Sequence, residues 1–144
     1  VTKLLQTGIH KERFVAMIKK ILIVDDSPIS RKMLKSCVPK DNEYEFIEAG
    51  DGLAGLKTFK DFGPDVTFLD LTMPVMDGTQ ALEEMKKVNG NSVIIVLTAD
   101  IQVKSIERVM QLGAFHVLKK PPTKDGVRDI LQKAFEYKRQ ANES

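Results

Sequence analysis

Two runs of apolar residues, Ile21-Leu22-Ile23-Val24 and Val93-Ile94-Ile95-Val96-Leu97, constrain this chain more than anything else in it. Neither alternates with polar residues, so neither suits a strand with one wet face. Continuous runs of this kind read as strands buried on both faces, the pattern of a parallel sheet covered by helices. Residues 21–24, 44–49, 65–70, 92–98 and 115–119 make five strand candidates, of which 44–49 alternates. Between and after them lie segments of helical period. Segment 27–38 carries Ile29, Met33, Leu34 and Cys37 on one stripe, and 51–62 carries Leu53, Leu56, Phe59 and Phe62. Segments 77–88 and 100–113 follow, and 123–139 places Val127, Ile130, Leu131, Ala134 and Phe135 on its apolar face. Asp77 and Gln80 have the spacing of a capping box, and Gly113 suits the position just past a helix end. Five strand–helix units in succession predict an α/β fold, a parallel sheet with helices on both faces.

The first run leads straight into two carboxylates, Asp25 and Asp26, and then into Ser27-Pro28, a helix-start signal. Like charges leaving a core repel each other and lose solvation, so something must accept them. In an open parallel sheet, ligands bind beyond the carboxyl ends of the strands. Asp25 and Asp26 end the first strand, Asp70 the third and Thr98 the fourth, while Lys120 follows the fifth. Parallel strands would bring all of these to one edge. A like-charge pair about 4 Å apart costs on the order of 4 kcal/mol at an effective dielectric of 20. Either one carboxyl stays protonated or a hard cation sits among them. Mg²⁺ suits the second case, because it needs only one or two carboxylates plus phosphate oxygens and water. Lys120 and Thr98 then offer a cation and a hydroxyl to a tetrahedral anion. The edge reads as a place where phosphate meets magnesium.

Composition excludes several other classes. The chain has 144 residues and a formal charge of +2, enough for one domain with a real core. Residues 1–20 hold five basic residues against Glu12 alone, which leaves −2 for the rest of the chain. A nucleic-acid binder usually shows a basic body rather than a basic leader. No apolar run approaches the roughly 20 residues of a membrane span. The single cysteine, Cys37, precludes an internal disulfide and fits a reducing cytosol. His10 and His116 lie too far apart for a zinc spacing with it.

The segments LIVDDSP (22–28), FLDLTMPVMDG (68–78), VLTA (96–99) and GAFHVLKKPP (113–122) together resemble the signatures of two-component response-regulator receiver domains. The likeness runs from about Ile21 to Tyr137. It implies a five-stranded flavodoxin-like sheet of order 2-1-3-4-5, as in stand-alone chemotaxis-type regulators. It also implies that Asp70 is the phosphoacceptor, taking phosphate from a histidine kinase or phosphotransfer protein. By the same resemblance, Asp26, Asp70 and the backbone carbonyl of Thr72 ligate Mg²⁺, with Asp25 acting largely through water. Thr98 would bond the phosphoryl oxygen. Lys120 would pair with its charge, since it precedes Pro121, where the family expects a cis peptide; Lys119 would point the other way. Such a chain is a phosphoacceptor that assists its own phosphorylation and dephosphorylation rather than an enzyme. It works in the cytoplasm through docking to a downstream protein, without direct nucleic-acid contact or membrane insertion.

Residues 17–144 form the expected receiver, with residues 1–16 a leader or extension and no output domain. Alternatives are a receiver fragment of a longer transcriptional regulator, or an aspartyl-phosphate hydrolase. The hydrolase usually needs a second carboxylate two residues after the first, which neither DLT nor DDS supplies in the right form. One departure from the family stands out. Val117 occupies the usual aromatic switch position, so either Phe115, His116 or the loop after Thr98 carries the signal, or the transition is smaller than in the family. Asp100, two residues after Thr98, is expected to influence phosphate lifetime. Cys37 and the methionines at 33, 73, 76, 85 and 110 are expected to be packing residues.

Overall fold

The structure, a computed structural model, describes residues 18–40, 42–73 and 76–143. The expected leader or extension, residues 1–16, lies outside these. The described chain alternates strictly: β1 (Lys20–Val24), α1 (Pro28–Cys37), β2 (Glu45–Ala49), α2 (Gly52–Phe62), β3 (Val66–Asp70), α3 (Gly78–Val88), β4 (Val93–Thr98), α4 (Val103–Gln111), β5 (His116–Lys119) and α5 (Lys124–Glu143). The sheet order is β2-β1-β3-β4-β5, and every neighbouring pair is parallel.

The continuously apolar runs occupy the interior of this sheet. Ile21 through Val24 are fully buried, and so are Ile94 through Val96. Alternate residues of each strand serve opposite cores. Ile21, Ile23, Val66, Phe68, Val93 and Ile95 pack with Leu34 of α1 and with Val127, Leu131 and Ala134 of α5. Leu22, Val24, Leu69, Ile94 and Val96 face Leu56 and Phe59 of α2, Leu82 and Met85 of α3, and Val109 of α4. The alternating strand, β2, is an edge strand, and only its Ala49 is buried.

Local chemistry sets the helix ends. Ser27 caps α1 by accepting from the Ser30 N–H at 3.2 Å, and Asp51 caps α2 through the Ala54 N–H at 2.8 Å. The reciprocal Asp77–Gln80 capping box opens α3. The Thr123 hydroxyl accepts from the Gly126 N–H at the start of α5. Gly113, with φ of 106°, lies just past the Leu112 cap of α4.

Several expectations need correction. Of the stripe proposed for α1, Leu34 and Cys37 are buried, but Ile29 and Met33 are 76% and 44% exposed. Leu53 of α2 is likewise exposed. A helix lying on a sheet buries a narrower arc than its apolar residues can span. Met33 and Met110 therefore lie on the surface, whereas Met73 and Met85 pack inside. Helix α4 begins at Val103 rather than near residue 100, because Asp100 is engaged in the turn described below. Helix α5 runs on to Glu143.

Candidate functional site

The register explains how the acidic residues meet. Val24 pairs with Leu69 across β1 and β3, so Asp25 and Asp70 both lie one step further on. Asp25 continues the series Ile21–Ile23, and Asp70 continues Val66–Phe68, which places both on the α1/α5 side of the sheet. Leu118 of β5 packs on that side as well. Lys120, two residues later, reaches back over the sheet edge, while Lys119 is exposed.

The resulting geometry is close. The Lys120 Nζ lies 3.0 Å from Asp25 Oδ2 and 3.2 Å from Asp70 Oδ1. Asp25 and Asp70 are buried, Asp26 is exposed beside them, and one carboxylate oxygen from each lies within 4.8 Å of the others. One ammonium thus faces three carboxylates. Burial pushes the Asp70 carboxyl above its ordinary value; Lys120 and the Thr72 N–H pull it back, and Asp25 pushes it up further. Burial works against the Lys120 charge, but the Asp25 and Asp70 carboxylates outweigh it and hold the ammonium above its ordinary pKa. Such a constellation favours an additional hard cation, and its donors are all oxygens. The backbone around it is tightly constrained. The Ser27 N–H donates to Asp25 Oδ1 at 2.9 Å. Gly78 N–H donates to the Leu71 carbonyl, and a Cβ at Gly78 would collide with the Asp70 carbonyl.

Thr98 ends β4 one residue past Leu97, the register partner of Asp70. It continues the alternation of Ile94 and Val96, on the opposite face from Asp70. Its hydroxyl accepts from the Asp100 N–H at 3.0 Å. The bond between Lys120 and Pro121 is cis. Beside Lys120 opens a cavity of about 340 Å³, lined chiefly by Met33, Leu34, Leu97, Ala99, Pro121 and Pro122, with Asp25 on its wall.

Arg31 was not among the residues singled out from the sequence. Its Nη1 donates to the Asp25 backbone carbonyl at 2.6 Å, and its Nε donates to Glu48 at 2.9 Å. Lys35 also binds Glu48, at 2.9 Å. The carboxyl of Glu48 is held below its ordinary value chiefly by the Lys35 bond. Helix α1 is thereby tied to β2 directly behind the acidic turn. The only sequence signal was a basic residue one turn after the helix start, which many solvated helices share.

With this geometry in view, comparison with known proteins is informative. The response regulator receiver domain family matches residues 21–137. The chain is 34% identical to the chemotaxis protein CheY of Bacillus subtilis over 119 residues, covering 83% of this chain and 99% of that one. It is also 34% identical to sporulation initiation phosphotransferase F of Bacillus subtilis over 122 residues, 85% of this chain and 98% of that one. Among solved structures, the CheX-CheY-BeF3-Mg²⁺ complex of Borrelia burgdorferi matches with a TM-score of 0.76 and 27% identity, over 81% of this chain and 89% of that one. The chain belongs to the response-regulator receiver domain family. It is a phosphorylation-switched signal receiver of the two-component type. Proteins carrying this domain include some enzymes, a protein-glutamate methylesterase among them. No helix among the described residues is long and apolar enough to cross a membrane.

Proposed function

We propose that Asp70 accepts a phosphoryl group from a phosphohistidine of a histidine kinase or phosphotransfer protein. The observation that carries this reading is the placement of one ammonium, Lys120, on both Asp25 and Asp70 at the carboxyl edge of the sheet. An Asp70 carboxylate oxygen forms a bond to phosphorus as the donor's P–N bond breaks and the histidine nitrogen keeps the electron pair. Such transfers depend on alignment and charge neutralisation. Lys120 supplies a positive charge beside the incoming phosphoryl oxygens, and the Gly78 close approach fixes the backbone that carries Asp70. The three carboxylates fit Mg²⁺, which Asp25, Asp26, Asp70 and the Thr72 carbonyl would hold. Bound there, Mg²⁺ would offset the charge of the transferring group and orient its oxygens. The BeF3 and Mg²⁺ of the Borrelia relative's complex support the same chemistry here. Thr98 would bond a phosphoryl oxygen after moving toward it.

The donor's approach has a suitable surface. The apolar cavity beside Lys120 and the exposed Ile29 and Met33 of α1 fit apolar side chains of a helix presenting its phosphohistidine. The chain acts as a phosphoacceptor rather than as an enzyme with a separate substrate. It operates in the cytoplasm and docks to a downstream protein. Incubation with acetyl phosphate and Mg²⁺ tests the assignment. Intact mass should show one phosphoryl adduct on the wild type and none on Asp70→Asn. An adduct that persists in the variant overturns it.

A further inference from the structure

Three carboxylates converge at the sheet edge, but they are held in different ways. The Asp25 carboxylate accepts from the Ser27 N–H at 2.9 Å and from Lys120 Nζ at 3.0 Å. Lys120 also lies 3.2 Å from Asp70. Asp26 is exposed, and its carboxylate has no hydrogen-bond or ion-pair partner among the described residues. Its direction is therefore set by the backbone that carries it. The peptide unit joining Asp25 to Asp26 is planar, so a group that grips its carbonyl oxygen orients the plane from which the Asp26 side chain departs.

That grip comes from Arg31. Its Nη1 donates to the Asp25 carbonyl at 2.6 Å, while its Nε donates to Glu48 at 2.9 Å. A guanidinium is a rigid planar fork, so a bond on one edge restricts the other. Glu48 is itself tied to Lys35, one turn further along α1, at 2.9 Å, and the Arg31 side chain is only 18% exposed. From the other strand, the Asp25 N–H donates to the Ala49 carbonyl at 3.1 Å. Helix α1 and strand β2 thus meet on the one peptide unit that aims Asp26. We infer that Arg31 is a positioning residue for the divalent cation: by holding the Asp25 carbonyl it directs the Asp26 carboxylate toward Asp25 and Asp70. The inference rests on the three carboxylates being the Mg²⁺ site.

The charge of Arg31 has the opposite consequence, which makes the role testable by sign. A guanidinium beside the cluster repels an incoming cation, so removing the charge alone would tighten Mg²⁺. Losing a group that orients a metal ligand instead weakens binding, by about ten-fold or more. Mg²⁺ titration of the full chain at constant ionic strength, followed by the native amide NMR signals of Asp25, Asp26 and Asp70, separates the two. Arg31→Lys keeps the charge but not the fork and should raise the Kd about ten-fold. Arg31→Met should also bind Mg²⁺ more weakly, despite the lost repulsion. Glu48→Asp keeps every charge at an exposed position, withdraws the second anchor of Arg31, and should weaken binding by less. Native signals alone report the Kd, so a lowered urea midpoint in a variant does not enter it. Unchanged affinity in Arg31→Lys and Glu48→Asp, or tighter binding in Arg31→Met, overturns the positioning role while leaving the metal site in place. A wild type whose three aspartate amides ignore Mg²⁺ removes the metal site, and the inference with it.

Discussion

Helices α3 and α4 follow neighbouring strands, cover the same face of the sheet and are both amphipathic, yet they are fastened differently. Helix α3 follows Asp70, opens with a reciprocal capping box, and buries Ala81, Leu82 and Met85 completely. Helix α4 follows Thr98, lacks a capping side chain at Gln102, and buries only Val109. An amphipathic stripe therefore does not by itself say how firmly a helix is held. The strand ending in Asp70 runs into a firmly packed support. The strand ending in Thr98 runs into a helix with little buried surface, the kind of element that opens locally at low cost.

The contrast can be broken most severely in α3. Leu82→Ala should cost about 3 kcal/mol of global stability by urea denaturation, as deletion of a fully buried leucine side chain does. A loss well under 1 kcal/mol would mean that α3 is no better anchored than α4. A smaller effect separates the two helix starts. Asp77→Ala should cost about 1 kcal/mol, the typical worth of an N-cap, whereas Gln102→Ala should leave stability unchanged within experimental error. Equal losses at both positions would erase the difference in capping.

The smallest effect concerns the titration of Asp100. The Ser105 hydroxyl first, and then the Gln102 N–H, hold its carboxyl below the ordinary aspartate value near 3.8. Because these bonds favour the carboxylate, their contribution to α4 is complete above the ordinary range and is lost as pH falls through the lowered pKa. Carboxyl chemical shifts followed by NMR should show Asp100 titrating low in the wild type and moving up toward the ordinary value in Ser105→Ala. An unchanged midpoint would show that the Ser105 bond has no weight in solution.

Much of the site was legible before any coordinates, and the reason is geometric. Parallel strands buried on both faces must stack with their carboxyl ends together, so Asp25, Asp26, Asp70 and Lys120 were bound to share an edge. Lys120 was preferred to Lys119 because it precedes Pro121, as the family pattern implies, and alternation along the strand then turns Lys119 the other way. Helix starts at Ser27, Asp51, Asp77 and Thr123 are local events and announce themselves in the residues that make them. Arg31 was not legible, because its two partners, the Asp25 carbonyl and Glu48, meet it only once α1 lies across β1 and β2. The outward turn of Ile29, Met33 and Leu53 was hidden for a related reason. Periodicity defines an apolar face, but the neighbours decide how much of that face is covered.

By itself, then, the order of residues determined the layers, the strand direction and which chemical groups would gather at the sheet's edge, since these follow from short-range preferences and the two-residue repeat of a strand. Tertiary structure alone decided that Lys120 bridges two of the three carboxylates, that Thr98 faces away from Asp70, and that the Asp100 carboxylate joins the Gln102 N–H and the Ser105 hydroxyl ahead of α4. Those outcomes depend on distances of about one hydrogen bond between atoms far apart in the chain, and no local pattern encodes a separation that small.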